Sequence, residues 1–341
     1  MSTRRSLLLG ALVASAVTLA SGAAVAAPPP GPAGNAPFTF AVIGDIPYGA
    51  AKIARFPKDV DQINADPDVQ FVDHLGDIKD GSSVCSDQYF AQIKAQFDRF
   101  ADPLVYTPGD NEWTDCHRTN NGAYNPLERL AAVRKVFFPQ PGKTLGQKSV
   151  GVAADGPEFV ENVSYERAGV GFAALHMVGS NDDLAPWTGI GKTAPTPEQV
   201  AENQRRTADV LRLIDRTFDQ AAASKEKAVA LLMQADMFDP TVPNPQPSDY
   251  SAFRPIVQRI ADRSAAFGGP VYLFNGDSHV YNADRPLAPG SSWLAFYGAR
   301  PAANLQRVTV DGSGNANDYL KVVVRPSDPA PLQWTRVPFT G

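Results

Sequence analysis

Apolar residues along this chain fall into two alternating rhythms: short β-branched or aromatic runs, and longer stretches with one apolar position every three or four residues. Phe38 to Ile43, Val69 to Leu75, Pro103 to Thr107, Ala228 to Met233 and Val271 to Asn275 are the short runs, each predicted as a strand. Between them the spacing of Phe90, Ile93, Phe97 and Phe100 predicts a helix packed on a sheet, and further helices are read near Pro57 to Asn64 and Leu127 to Phe137. Thr196-Pro197-Glu198-Gln199 combines an N-cap threonine, a proline at the first helical position and a capping-box glutamine, so the longest helix is expected to start there and run to about Ala223. Another helix is expected from about Phe253 to Phe267. Two hairpins complete the pattern: Phe159 to Glu166 with Val170 to Met177 across Arg167-Ala168-Gly169, and Leu305 to Val310 with Tyr319 to Arg325 across a Gly-Ser-Gly-Asn turn. Strand and helix alternation of this kind predicts a layered α/β fold.

Four of the short runs end in the same dipeptide. Gly44-Asp45, Gly76-Asp77, Gly109-Asp110 and Gly276-Asp277 each place a carboxylate just past an apolar run, at the sheet edge where open α/β folds carry their ligands. Four carboxylates aimed at one place call for a cation.

The first residues carry no such pattern. Arg4-Arg5 precedes a modest Ala-rich apolar stretch with small residues near Ala24 to Ala27, which is read as a twin-arginine-type signal peptide over 1–27; a membrane anchor is the competing reading, weakened by the absence of a basic stop-transfer flank. Residues 28–37, rich in Pro and Gly, are read as a disordered leader, and 38–341 as a single domain with no internal repeat. The location expected is periplasmic or extracellular. The formal charge of -5 falls to about -7 once the two leader arginines go, so no nucleic-acid footprint is expected. Cys85 and Cys116 each follow a Gly-Asp strand end on the same rim. In an oxidising compartment they would form a disulfide, and a thiol pair, free or metal-ligating, is the other reading. The Pro-dotted stretch from Asp239 to Tyr250 is either a lid or a plain surface excursion.

Taken together, Asp45, Gly76-Asp77, Gly109-Asp110-Asn111-Glu112, the strand ending at Gln234 and Gly276-Asp277-Ser278-His279 resemble, in order, the motifs of calcineurin-like metallophosphoesterases. That resemblance implies a four-layer α/β/β/α sandwich with two mixed sheets, a pair of metal ions, and attack on phosphorus by a metal-bound hydroxide. Carried over position by position, it makes Asp45 and His279 ligands of one ion, Asp77 the bridging carboxylate, and Asp110 the counterpart of the second ion's asparagine. The chain departs from the pattern at four histidine positions, occupied by Pro47, Asn111, Gln234 and Asp277. The implied metal set is therefore Asp45, Asp77, Asp110, Gln234, Asp277 and His279. Oxygen donors of this kind favour one or two ions of manganese, magnesium or calcium over zinc.

Catalytic candidates are Asn111, His279 and His117. Asn111 holds the place of the family's transition-state histidine, and since an amide cannot give up a proton, a replacement acid is sought in His117 or in His176, which is read first as a core histidine. Glu112 is expected to orient the loop, Asp80 to cap a turn, and Asn181-Asp182-Asp183 to form a solvated turn, with contact to substrate as the other reading. The expected activity is hydrolysis of a small phosphomonoester or phosphodiester. The alternative is a non-catalytic metal- or ligand-binding protein on the same scaffold.

Overall fold

The computed structural model describes residues 37–154 and 156–340, so the expected signal peptide and all but the last residue of the leader lie outside the described residues. Strands β1 (Phe38–Ile43), β2 (Val72–His74) and β3 (Leu104–Tyr106) run parallel, linked by helices α1 (Gly49–Ala65) and α2 (Asp87–Phe97), with α3 (Pro126–Phe137) following β3. Antiparallel β11 (Asp318–Val324) and β12 (Leu332–Pro338) extend this sheet in the order β12-β11-β1-β2-β3. Its second counterpart has seven strands. Here β4 (Ala153–Ala154), β5 (Val163–Arg167), β6 (Val170–Ala174), β7 (Ala228–Leu232), β8 (Val271–Asn275), β9 (Asn282–Asp284) and β10 (Leu305–Thr309) are ordered β4-β5-β6-β7-β8-β10-β9. Both sheets mix parallel and antiparallel pairs.

The two sheets face each other across a core built from alternate positions of each strand. Phe40 and Val42 of β1 meet Phe172 and Ala174 of β6 and Phe274 of β8, with Phe40 and Phe172 edge to face at 5.4 Å between ring centroids. On the outer face of the first sheet, Ala41, Ile43 and Val72 pack against Phe56 of α1 and Phe90, Ile93 and Phe97 of α2, the stripe expected from the sequence. Covering the outer face of the second sheet are α5 (Pro197–Ala223) and α6 (Arg254–Phe267), whose Leu213, Phe218, Ile256 and Ile260 lie on Leu231 and Leu273. This is the α/β/β/α sandwich with two mixed sheets.

Local sequence explains several boundaries. The capping box at Thr196 is formed from both sides, its hydroxyl accepting from Gln199 N–H and the Gln199 side chain accepting from Thr196 N–H. The two-residue turn between β5 and β6 has Ala168 at φ 49° and Gly169 at φ 75°, the pair of left-handed residues a tight hairpin needs. The expected second hairpin is not formed: β10 lies beside β8 and β9 in the seven-stranded sheet, whereas β11 pairs with β1 and β12 in the other. The turn after β10 carries the chain from one sheet to the other. Short β4 and β9 and the edge strand β12 are strands the apolar pattern did not mark.

Candidate metal centre

All four Gly-Asp turns open at one rim, where β1, β2, β3 and β8 end, and the backbone there leaves the ordinary regions: Asp45, Asp77, Asp277 and His279 have φ of 51°, 55°, 73° and 62°. The glycines permit close approach. A Cβ on Gly109 would stand 2.1 Å from Asp77 Oδ1, and one on Gly276 would stand 2.1 Å from Asp45 Oδ2. These two glycines clear room for the aspartate of a neighbouring turn, and at Gly76 it is the backbone of Pro108 and Gly109 that comes close.

Two overlapping groups of ligand atoms result. Asp45, Asp77 and His279 can each offer one atom within 4.8 Å of the others, and so can Asp77, Asp110 and Asp277. Asp77 belongs to both. No Lys or Arg pairs with these aspartates among the described residues, and Asp45, Asp77, Asp110 and Asp277 are buried or nearly so. Burial, followed by repulsion from Asp110 and Asp45, pushes the carboxyls of Asp77 and Asp277 well above the usual range. Buried like charges at this spacing are costly without a counter-ion, so the donor set fits a divalent cation, or two sharing Asp77.

The neighbours hold these carboxylates in place. Glu112 Oε1 accepts from the backbone N–H groups of Gly109 (2.7 Å) and Asp77 (3.1 Å) and from Tyr106 Oη (2.7 Å), tying two of the turns together. Asn111 donates through Nδ2 to Asp77 Oδ2 and to Tyr48 Oη, both at 2.8 Å. Tyr48 in turn donates to Asp77 Oδ2 at 2.7 Å. His279 Nε2 stands 3.2 Å from Asp45 Oδ1; burial lowers its basicity, but the Asp45 carboxylate outweighs this and leaves the imidazole raised.

Gln234 reaches the cluster by its nitrogen. Its Oε1 accepts from Gly179 N–H at 2.7 Å, and Nε2 donates to Asp77 Oδ2 (3.2 Å) and Asp110 Oδ1 (3.1 Å). In this arrangement the amide is a donor to the carboxylates, in place of the oxygen ligand expected from the sequence. His117 is turned to another partner, its Nδ1 accepting from Gly189 N–H at 3.1 Å, and no hydrogen bond joins it to the four aspartates among the described residues. His176 is fully buried with Nδ1 2.8 Å from Glu161 Oε1 and its ring edge to face with Trp113. Asp80 accepts from Ser82 and Ser83 and closes its own turn.

Several participants went unmarked in the sequence. Tyr48 lies three residues after Asp45, and its spacing was the one available signal. Lys79 is buried beneath the rim, donating to Asp80 O and Asn111 O at 2.8 Å. Directly beside Asn111 O, the sulfurs of Cys85 and Cys116 form the disulfide that the sequence did mark, with a Cα–Cα distance of 5.8 Å. The stretch read as a solvated turn is the largest surprise. Ser180, Asn181, Asp182 and Asp183 all have positive φ (52°, 55°, 53° and 66°), so the turn α4 (Gly179–Asp182) is left-handed. At roughly 1–2 kcal/mol for each L-residue held this way, such a turn needs outside support. Arg206 supplies it, buried and paired with Asp182 and Glu202, while Asn203 donates to Asp182 and Thr114 and Trp187 donate to Asp183. Far from solvated, Asp182 and Asp183 are fully buried. The turn sets Ser180 Oγ 3.1 Å from Asp110 Oδ2 and 2.8 Å from Asp115 Oδ1.

A sandwich of this topology with an acidic, strand-end centre that Asp77 shares defines the metallophosphoesterase class. Residues 38–198 match the model of the family described as calcineurin-like phosphoesterase. Its members typically bind divalent metals. Among solved structures the fold is similar to that of GAP50, the anchor in the inner membrane complex of Plasmodium, at 8% identity and a TM-score of 0.43, with 89% of this chain and 90% of that chain covered. It is also similar to the NAD nucleotidase NadN of Haemophilus influenzae at 11% identity and a TM-score of 0.42, covering 89% of this chain and 56% of that one. No curated protein matches the chain.

Proposed function

We propose that this protein is an exported, metal-dependent phosphoesterase that hydrolyses a small phosphomonoester or phosphodiester at the rim holding Asp77. The observation that carries the reading is the sharing of Asp77 between two ligand groups, one with Asp45 and His279 and one with Asp110 and Asp277. Four carboxylates and one imidazole form an oxygen-rich set, which favours manganese, magnesium or calcium over zinc. Divalent ions bound there would supply Lewis acidity toward phosphoryl oxygens and lower the pKa of water. The chain's own residues do the rest. Gln234 and Asn111 orient the shared carboxylate through N–H groups, Glu112 fixes the two turns that carry Asp77 and Asp110, and Tyr48 offers its hydroxyl at the mouth.

Export in this reading uses the arginine-led segment 1–27. The Cys85–Cys116 bridge is of a kind that persists in oxidising compartments. Among the described residues, no helix is long and apolar enough to cross a membrane.

Metal analysis of the purified protein, paired with hydrolysis of an aryl phosphate and a bis-aryl diester in manganese, magnesium or calcium, tests the reading. Ion-dependent turnover and a rise in melting temperature with added ion are expected, and Asp77→Asn should reduce kcat/KM by at least ~100-fold and abolish the thermal shift. Ion binding without turnover of either ester would favour the non-catalytic alternative, for which Asn111, an amide in a proton donor's place, is the specific motive. Neither turnover nor a thermal response to any ion would remove both.

A further inference from the structure

Beside the aspartate cluster lies a cleft of about 540 Å³ that shares Asp277 and Gly179 with the metal centre. Its inner edge is set by the left-handed turn: a Cβ on Gly179 would stand 2.6 Å from Asp110 Oδ2 and 2.9 Å from Asp277 Oδ1, so the backbone of the turn forms the floor where the metal centre passes into the cleft. Asn181 binds that floor to the far wall, donating to Ser248 O and Ser251 Oγ at 3.1 Å and accepting from Ala252 N–H at 3.0 Å. The outer wall is the Pro-dotted stretch from Asp239 to Tyr250, here ordered as one side of the cleft.

The lining chemistry is one-sided. Leu184, Ala185, Pro186, Val242 and Phe253 make an apolar side, and the Tyr250 ring, backed by Trp293 and Phe296 with centroids 6.1 Å and 5.8 Å away, offers an aromatic face. Every charged residue that lines the cleft is an aspartate: Asp236, Asp239, Asp249 and Asp277. Arg307 neutralises Asp236 from behind, with its Nη1 2.5 Å from Asp236 Oδ1. Asp239 and Asp249 have no such cation among the described residues and bond only to Thr241 and Ser248.

We propose that this cleft holds the organic part of the ester, and that this part carries an amine or other cationic end on an apolar or aromatic body, not a second phosphate or carboxylate. The inference rests on the phosphoesterase reading for the identity of the group at the metal centre. An ammonium can lie over Tyr250 within reach of Asp239 and Asp249, gaining both a π face and two carboxylates. A second anion would meet the same carboxylates with no arginine or lysine to receive it, which disfavours dinucleotides, polyphosphates and phosphorylated acids as substrates.

Non-hydrolysable probes separate this inference from catalysis. Titration calorimetry on the full-length protein with manganese present would compare 4-(aminomethyl)phenylphosphonate with 4-carboxyphenylphosphonate, two ligands of similar size and opposite charge. The amine is expected to bind about tenfold tighter, with the preference shrinking in high salt, and the double variant Asp239→Asn, Asp249→Asn should bring the two affinities to within about threefold. Equal affinities, a preference for the carboxylate, a preference that survives the double variant, or no binding of either ligand overturns the proposal. Turnover is a separate readout: a binding preference in a protein that hydrolyses no ester would sink the phosphoesterase reading and leave the cleft's selectivity standing.

Discussion

At the scale of single residues, the chain separates two kinds of buried carboxylate. Those of the rim face one another and call for a cation, while Asp73, in the middle of β2, faces the opposite sheet with only the Tyr165 hydroxyl as partner, at 2.9 Å and 3.1 Å from its two oxygens. Burial raises the Asp73 carboxyl from 3.8 to about 8, so between those values the folded chain keeps a proton that the unfolded chain releases. Its contribution to stability is therefore whole below pH 3.8 and is lost as pH rises toward 8, with a limiting slope of ~1.4 kcal/mol per pH unit. Asp73→Asn should remove this dependence: denaturant melts from pH 4 to 8 are expected to show the variant gaining on the wild type as pH rises, and parallel curves would contradict it. Rim carboxylates could be read from the sequence because each follows a glycine at the end of an apolar run, where a neighbouring side chain or backbone comes close. Asp73 could not, since one acid inside the run Phe71-Val72-Asp73-His74-Leu75 looks like an ordinary outward position until the second sheet is known to cover it. Tyr48 and Lys79 escaped for a similar reason, because only the folded rim gives them partners.

At the scale of elements, apolar periodicity marked the long helices and the central strands well, and failed where pairing is decided elsewhere in the chain. β12 lies at a sheet edge with Leu332 as its one buried residue and Gln333, Thr335 and Arg336 exposed, so its sequence lacks an apolar run. Asn181-Asp182-Asp183 read as a solvated turn because their composition is that of one; the Arg206 side chain that buries them comes from a helix more than twenty residues on. The Cys85–Cys116 bridge is the element whose loss can be measured most directly. It closes a loop of 31 residues under Asn111, and reduction is expected to cost ~3–4 kcal/mol of unfolding free energy by the chain-entropy relation. Chemical denaturation with and without reductant gives the value. A shift below ~1 kcal/mol would mean that the surrounding contacts hold the Asn111 loop unaided.

At the scale of the whole molecule, the layers were legible as a pattern of alternation, but the assignment of strands to sheets was not, because a short turn between two apolar strands looks the same whether it folds a hairpin or changes sheets. The crossover after β10 stitches the two sheets into one structure, with their shared core supplied by both. We expect one calorimetric transition for residues 38–341, with an unfolding enthalpy on the order of 200 kcal/mol near 60 °C and a calorimetric to van't Hoff ratio close to one. Two resolved endotherms would divide the chain where it is read as a single domain. The same crossover governs the order in which the chain can mature. β1, which delivers Asp45, is flanked by β2 from its own neighbourhood and by β11 from near the opposite end, Phe38 pairing with Val324. A ribosome must therefore make every element from β2 to β10 before the strand bearing the first aspartate gains its second neighbour, and contacts this distant in sequence form slowly. Until β11 is made, β1 keeps an open sheet edge beside the first aspartate, and that interval gives folding helpers an opportunity to act.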